Sequence, residues 1–404
     1  MQYTRSENMK NVHSDIRGPL YLESQKMIKN GIDVLRLNTG NPGTFGFTMP
    51  DSIKEALLKN ADKAVPYCDL KGMPDAREAI LNYHLSKGFT GITTDDIYIG
   101  NGVSELVTMA LTALLNNGDE VLMPSPSYSL WSNSAYIAGG KPVFYNCDES
   151  NAWYPDIDDI KAKITKKTRA LVIINPNNPT GAVYPKEVVL QMLEVARQNN
   201  LIVFSDEIYD RLVMDGIEYH STAPLAPDLT TITFNGLSKS HCLCGFRCGW
   251  MVISRGENDV TDYVDGIFQL AAMRLCSNTL TQLVIPAAMQ DTESTRQMII
   301  PGGRLYEQRE ATMREIEKID GLTCVKNSAA FYVFPKLDVK KFNITSDKKF
   351  AFDLLKAKNI LIVPGSGFDV YTNDHFRIVM LPEPERMGKA IRDIGDFLKT
   401  YKQD

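Results

Sequence analysis

From about residue 96 the chain alternates short apolar runs with polar turns and longer stretches of helical period. The runs are "IYIG" (97 to 100), "EVLMPS" (120 to 125), "PVFYN" (142 to 146), "ALVIIN" (170 to 175), "LIVFSDE" (201 to 207), "TITFN" (231 to 235) and "WMVIS" (250 to 254). Several are apolar throughout, as expected of central strands covered on both faces. Stretches such as "GVSELVTMALTALLNN" and "PKEVVLQMLEVARQNN" repeat their apolar positions every three or four residues, which predicts helices between the strands. The alternation implies βα units and an α/β fold: a mostly parallel seven-stranded sheet flanked by helices.

After about residue 285 the texture changes. A long helical stretch, "GGRLYEQREATMREIEKI", leads to "AAFYVFPKL", "ILIVPG" and "FRIVML" with helices between them, the pattern of a smaller α+β domain. The stretch to residue 45, with "LNTGNPGTFGF", is too rich in glycine and proline to fold alone and is expected to pack on that smaller domain and reach over the site. The 404 residues thus divide into a large domain, 46–285, and a small one made of 1–45 and 286–404.

Composition narrows the classes. A hydrophobic fraction of 44% with 23% charged residues is ordinary for a globular chain. The net charge of -5 offers no general field for nucleic acid or acidic membranes. No run approaches the length of a membrane span and the N-terminus lacks a signal-peptide core, so a cytoplasmic location is expected. The seven cysteines suit free thiols, and the spacing of Cys242, Cys244 and Cys248 matches no zinc pattern, so no metal is expected.

Ligands of open α/β sheets bind beyond the carboxyl ends of the strands. There, "LIVFSDEIYD" ends in Asp206 and Tyr209, "ALVIINPNNPTG" in Asn175 and Asn178, and "TITFNGLSK" in Ser238 and Lys239. Each alone has a plain structural reading: a helix cap, an Asn/Pro turn, a solvated lysine. An acid, a phenol, an amide and a lysine at one end of one sheet fit a single ligand, pyridoxal phosphate. The lysine would form a Schiff base with its aldehyde and the carboxylate would keep its ring nitrogen protonated. Asn178 and Tyr209 would donate to the ring's phenolate oxygen. "IGNGVSELV" sets Gly102, Val103 and Ser104 at a strand-to-helix junction suited to the phosphate, with Arg247 as a charged fork for the same oxygens and Gly245 allowing close approach. No nucleotide-binding glycine motif follows any strand, which excludes that class.

These residues resemble the class I/II aminotransferases of fold type I, and within them the bacterial glutamate-pyruvate subgroup. "DIRGPL", "GNPGTFGF", "IGNGVSEL", "IINPNNPTGAVY", "DEIYD", "APDLTTITFNGLSK", "PGGRLYEQR" and "HFRIV" carry the likeness from about residue 11 to the C-terminus. The resemblance implies a ping-pong amino transfer through pyridoxal phosphate, with glutamate and pyruvate giving 2-oxoglutarate and alanine. It makes Lys239 the Schiff-base lysine and general base at the substrate's Cα, and Asp206 the partner of the pyridine nitrogen. Tyr128 stacks on the cofactor, while Arg377 and Gly40 receive the substrate's α-carboxylate. It also implies a homodimer with shared sites, in which Tyr67 reaches the neighbouring subunit's phosphate and the cofactor-binding Asn278 lies in a segment that crosses the dimer interface. Arg17, on the N-terminal segment, is the candidate cation for glutamate's distal carboxylate, against the alternative of an arginine that ties its segment down.

Two positions depart from the pattern. Gly236 stands where many relatives have a phosphate-binding serine, which shifts weight to Ser238, and His241 and Cys242 stand where the subgroup has a Tyr-Arg pair. Other aminotransferase specificities (aspartate, aromatic, branched-chain) and a β-eliminating C-S lyase use the same apparatus. A non-catalytic effector sensor is a further possibility, though no helix-turn-helix precedes residue 11.

Overall fold

The computed structural model describes residues 3–370 and 372–403. Its central sheet has eight strands: β1 (Ile97–Gly100), β2 (Glu120–Ser125), β3 (Lys141–Asp148), β4 (Tyr154–Pro155), β5 (Thr168–Ile174), β6 (Ile202–Asp206), β7 (Thr231–Gly236) and β8 (Gly249–Ser254). In space they run β1-β8-β7-β6-β5-β2-β3-β4. The pairs from β7 through β3 are parallel, whereas β8 runs antiparallel between β1 and β7, and β4 is antiparallel to β3. The expectation of seven strands therefore falls one short. The missing strand is β4, and two residues at a sheet edge leave no period to read.

Burial explains the apolar runs. Every residue of β1, β7 and β8 is buried, because helices cover both faces. The helix Val103–Leu114 turns Leu106, Val107, Ala110 and Leu111 onto one face of the sheet. The helix Lys186–Gln198 starts just after Pro185 and covers the other face with Val189, Met192, Leu193 and Ala196. Each of the leucines, valines and the methionine among them contributes about 1.5–3 kcal/mol by leaving water.

A second core joins the two ends of the chain. Leu20, Met27, Val34 and Leu37 pack with apolar residues from Met313 to Leu398. Backbone pairing reinforces this union, since Leu35–Arg36 lies parallel to Ile360–Leu361. The helices Arg304–Ile316 and Pro384–Leu398 pack against each other, and the short strands Tyr332–Val333, Phe376–Val379 and Val363–Pro364 form a three-stranded sheet. Just upstream, residues 12–17 pass over the carboxyl end of the central sheet, held by paired hydrogen bonds between His13 and Asn133 and by Asn38 Nδ2 donating to Ile16 O at 2.8 Å. No helix among the described residues is long and apolar enough to cross a membrane.

Candidate active site

The carboxyl ends of β5, β6 and β7 open onto a cavity of about 790 Å³. β6 delivers Asp206 as its last residue, with Tyr209 on the turn beyond. The chain leaves β7 at Gly236 and enters the short helix Leu237–Ser240, whose buried interior holds Ser238 and whose third residue is Lys239. The loop after β5 brings Asn178, and Tyr128 sits between β2 and the helix Leu130–Ile137. All of these line the cavity, as do Gly40, Arg17, Val103, Ser104, Arg247 and Arg377.

At the floor lies Asp206, almost fully buried. Its Oδ2 accepts from the indole Nε1 of Trp131 at 3.1 Å and its Oδ1 from the Ile208 backbone N–H at 3.3 Å. Burial pushes its carboxyl up to about 6, against the lowering pull of those two donors. Among the described residues no Lys, Arg or His reaches it as an ion pair. A cationic ring nitrogen would supply the missing charge. Beside it, burial holds the Tyr209 phenol well above its usual range, so it stays a donor, and its hydroxyl meets that of Tyr332 at 2.9 Å. Lys239 Nζ donates to Gly40 O at 3.1 Å and lies 3.8 Å from Cys244 Sγ.

On one side the cavity is bounded by a helix start and a guanidinium, a pairing that favours an anion. The 12-residue helix Val103–Leu114 begins at Gly102, where φ is +83° and no side chain caps the free N–H groups. A Cβ at Gly102 would stand 2.4 Å from Arg247 Nη2, so only glycine lets the guanidinium lie against the helix start. Glu105 fixes this turn by accepting from Asn101 N at 2.7 Å, and Arg274 neutralises it at 2.7 Å. Gly236 has an equally physical reason, because a Cβ there would come within 2.7 Å of Cys248 O, just before the neighbouring strand. A serine therefore has no room, whereas Ser238 lines the cavity, as do Ser104, Thr108 and Ser129.

Opposite stands Arg377, fully buried on the strand Phe376–Val379. Nη1 donates to Asn178 Oδ1 at 3.1 Å, Nη2 donates to Asn38 O, and Nε has no partner. The guanidinium is sandwiched 4.5 Å from the Tyr332 ring and 4.6 Å from that of Phe368. Burial lowers its pKa, and no carboxylate pairs with it among the described residues. A buried cation with an idle N–H and no anion is a receptor for one. Gly40 approaches closely here, since a Cβ on it would strike the Tyr332 hydroxyl at 2.3 Å.

Other positions lie outside. Tyr67 is 79% exposed, and Asn278 is held through its backbone, its N–H donating to Asn101 Oδ1 at 2.9 Å and its carbonyl accepting from Thr281 Oγ1 at 3.0 Å; neither lines this cavity. His241 turns away, with its Nε2 3.3 Å from Asp291 O, and Cys242 also stays out of the cavity. Gly245 has open space where a Cβ would stand, so the expected close approach is absent there. The three neighbouring cysteines part company: Cys248 joins a core, Cys244 faces the cavity, and all seven thiols are free. Sequence reasoning missed Trp131 and Tyr332, whose aromatic spacing reads as plain core.

The model of the family described as aminotransferase class I and II matches residues 32–394. The chain is 51% identical over 401 residues to the glutamate-pyruvate aminotransferase of Haemophilus influenzae, covering 99% of both. With the enzyme of the same name from Escherichia coli it shares 49% over 399 residues, 99% of this chain and 98% of the other. A solved aminotransferase structure from Escherichia coli, 48% identical, superposes over 100% of both chains with a TM-score of 0.99.

Proposed function

Because the chain belongs to the class I and II aminotransferases, a family of pyridoxal phosphate enzymes, we propose that it exchanges the amino group between glutamate and pyruvate, giving 2-oxoglutarate and alanine. One observation carries the reading: a buried carboxylate lacking a cation and a buried guanidinium lacking an anion face one cavity that also holds a half-buried lysine. When bound, pyridoxal phosphate supplies an electron-accepting ring whose aldehyde carbon holds the amino group between the two half-reactions.

The chain's own residues divide the remaining work. Asp206 stays ionised against the ring nitrogen, and each ion stabilises the other. Tyr209 and the amide of Asn178 donate to the ring's phenolate oxygen, while Tyr128 covers its face. The N–H groups of Val103 and Ser104, the Ser238 hydroxyl and Arg247 hold the phosphate. Arg377 grips the substrate's α-carboxylate with paired hydrogen bonds, and Gly40 allows the carboxylate to come close. Lys239 Nζ would take the proton from the substrate's Cα and deliver it, within the same half-reaction, to the carbon that receives the amino group, and the second half-reaction would run this transfer in reverse, so a single amine serves as base and acid.

Substrate choice rests with Arg17. It lines the mouth of the cavity and makes no hydrogen bond or ion pair among the described residues, which speaks against a role in tying its segment down. Its free guanidinium suits glutamate's distal carboxylate, and the N-terminal segment leaves room for alanine's methyl when that charge is absent. The active form is a homodimer. Val65, Met273 and Leu275 are exposed beside Tyr67 and Asn278, an apolar border that a second copy would cover while Tyr67 reaches its phosphate and the segment of Asn278 crosses the interface.

The test is to present purified enzyme with single amino acids and follow the cofactor's visible band. Glutamate and alanine should discharge it fastest, and 2-oxoglutarate and pyruvate should restore it. Preference for aspartate, aromatic or branched-chain amino acids would overturn the substrate assignment, and pyruvate with ammonia from cysteine conjugates would identify a C-S lyase instead. Turnover by Lys239→Ala would remove that lysine from the chemistry.

A further inference from the structure

The buried indole above Asp206 has no part in the functional reading so far. Trp131 is fully buried on the helix Leu130–Ile137, and its ring is fixed by the two strands that carry Asp206 and lead to Lys239. It meets Phe234 edge-on, with centroids 5.4 Å apart at 83°, and tilts against Phe204 at 5.8 Å. Phe234 is itself the cross-strand partner of Asp206. The packing leaves the indole one polar direction, along Nε1 to Asp206 Oδ2 at 3.1 Å.

We propose that Trp131 is a positioning residue for amino transfer: its N–H fixes the Asp206 carboxylate in its ionised form and presents it to the cofactor's ring nitrogen. The inference rests on the assignment of Asp206 made above. A core tryptophan needs only some acceptor for its N–H; this one takes the one carboxylate at the cavity floor. The other groups acting on Asp206 are few. Glu207, next on the chain and buried, opposes its charge; Lys239 on the following helix favours it; and the buried Tyr209 phenol lies on the same turn. Among the described residues Oδ1 is held by the Ile208 N–H alone, and the indole is the single side-chain donor that acts on the acid without being needed elsewhere in the chemistry. Without it Asp206 takes up a proton at higher pH, and a neutral carboxyl cannot answer a cation.

The experiment titrates pyridoxal phosphate into cofactor-free enzyme between pH 6 and 9 and measures its dissociation constant from the bound cofactor's visible absorbance. For Trp131→Phe, affinity relative to wild type should be weaker by roughly ten-fold at pH 6.5, the loss of one hydrogen bond to a charged group, and should return to within about two-fold at pH 9. Trp131→Gln, which keeps an N–H donor, should bind more tightly at low pH than the similarly sized Trp131→Met. That pair carries the comparison should the Phe variant not fold. A loss equal at every pH, or Gln no better than Met, would mean that the indole only fills space and would overturn the proposal. Asp206→Asn separates the two levels: wild-type cofactor binding by that variant sinks the assignment of Asp206 itself, whereas impaired binding beside a pH-independent Trp131→Phe sinks only the role of Trp131.

Discussion

Replacing Arg377 with methionine should separate catalysis from stability. The guanidinium has two acceptors, Asn178 Oδ1 and Asn38 O, an idle Nε, and no carboxylate partner among the described residues. Methionine keeps most of the volume between the Tyr332 and Phe368 rings and removes the charge. For the cofactor-free protein two terms oppose each other. Burying an uncompensated cation costs several kcal/mol, which the variant recovers. Two acceptors lose their donors, at about 1–3 kcal/mol each. The difference is small, so the urea midpoint should move little in either direction. The substrate has no such compensation. Two charge-assisted hydrogen bonds to its α-carboxylate, about 1.5–3 kcal/mol each, disappear together, and at 1.36 kcal/mol per decade kcat/KM should fall roughly 10²–10⁴-fold. Because every amino acid and oxo acid presents the same group, single-turnover rates with glutamate and with alanine should fall alike. A loss below ten-fold, or one confined to a single substrate, would refute the assignment. A large drop in the urea midpoint would show that the arginine is structural.

Arg17→Ala should have the complementary signature: slower half-reactions with glutamate and 2-oxoglutarate, and little change with alanine and pyruvate, so equal effects on both pairs would remove it from the side-chain pocket. Gly102→Ala forces a Cβ to within 2.4 Å of Arg247 at a φ of +83°, so pyridoxal phosphate should bind at least about ten-fold more weakly by equilibrium dialysis, and unchanged affinity would place the phosphate elsewhere. Acid stability should depend on His84. Burial lowers its pKa from 6.5 to about 3, where it accepts the Trp250 indole N–H at 3.0 Å. A depressed pKa means that the folded state resists a proton the unfolded chain accepts, so this stability is complete above pH 6.5 and is lost as pH falls toward 3. Between pH 6.5 and pH 5 the group should cost about 2 kcal/mol, which His84→Gln abolishes; identical pH slopes by urea titration in the two proteins would contradict this.

What the sequence revealed and what it hid follow from one distinction, between partners joined along the chain and partners met only in space. The seven long strands could be read because a strand covered on both faces must be apolar throughout, and Asp206, Asn178 and Lys239 stood out because each follows such a run within a few residues. Arg377 shows the limit. It sits within "FRIV", whose other three residues are all buried, and the apolar pattern alone says nothing about where an interrupting arginine points. Its reading depended on family resemblance, and its burial between two aromatic rings emerges only once the strand lies beside the loop of Asn38. Trp131 is hidden more deeply, since 75 residues separate it from the acid to which it donates and an indole in an amphipathic helix carries no mark of its N–H partner. Cys244 makes the converse point. Sequence placed it in a cluster with Cys242 and Cys248, but the left-handed turns at Cys242 and Arg247 send one thiol to the cavity and another to a core. Strand ends therefore announce which groups meet the ligand, while the groups that set their charge and aim arrive from helices and loops whose contacts only the fold creates.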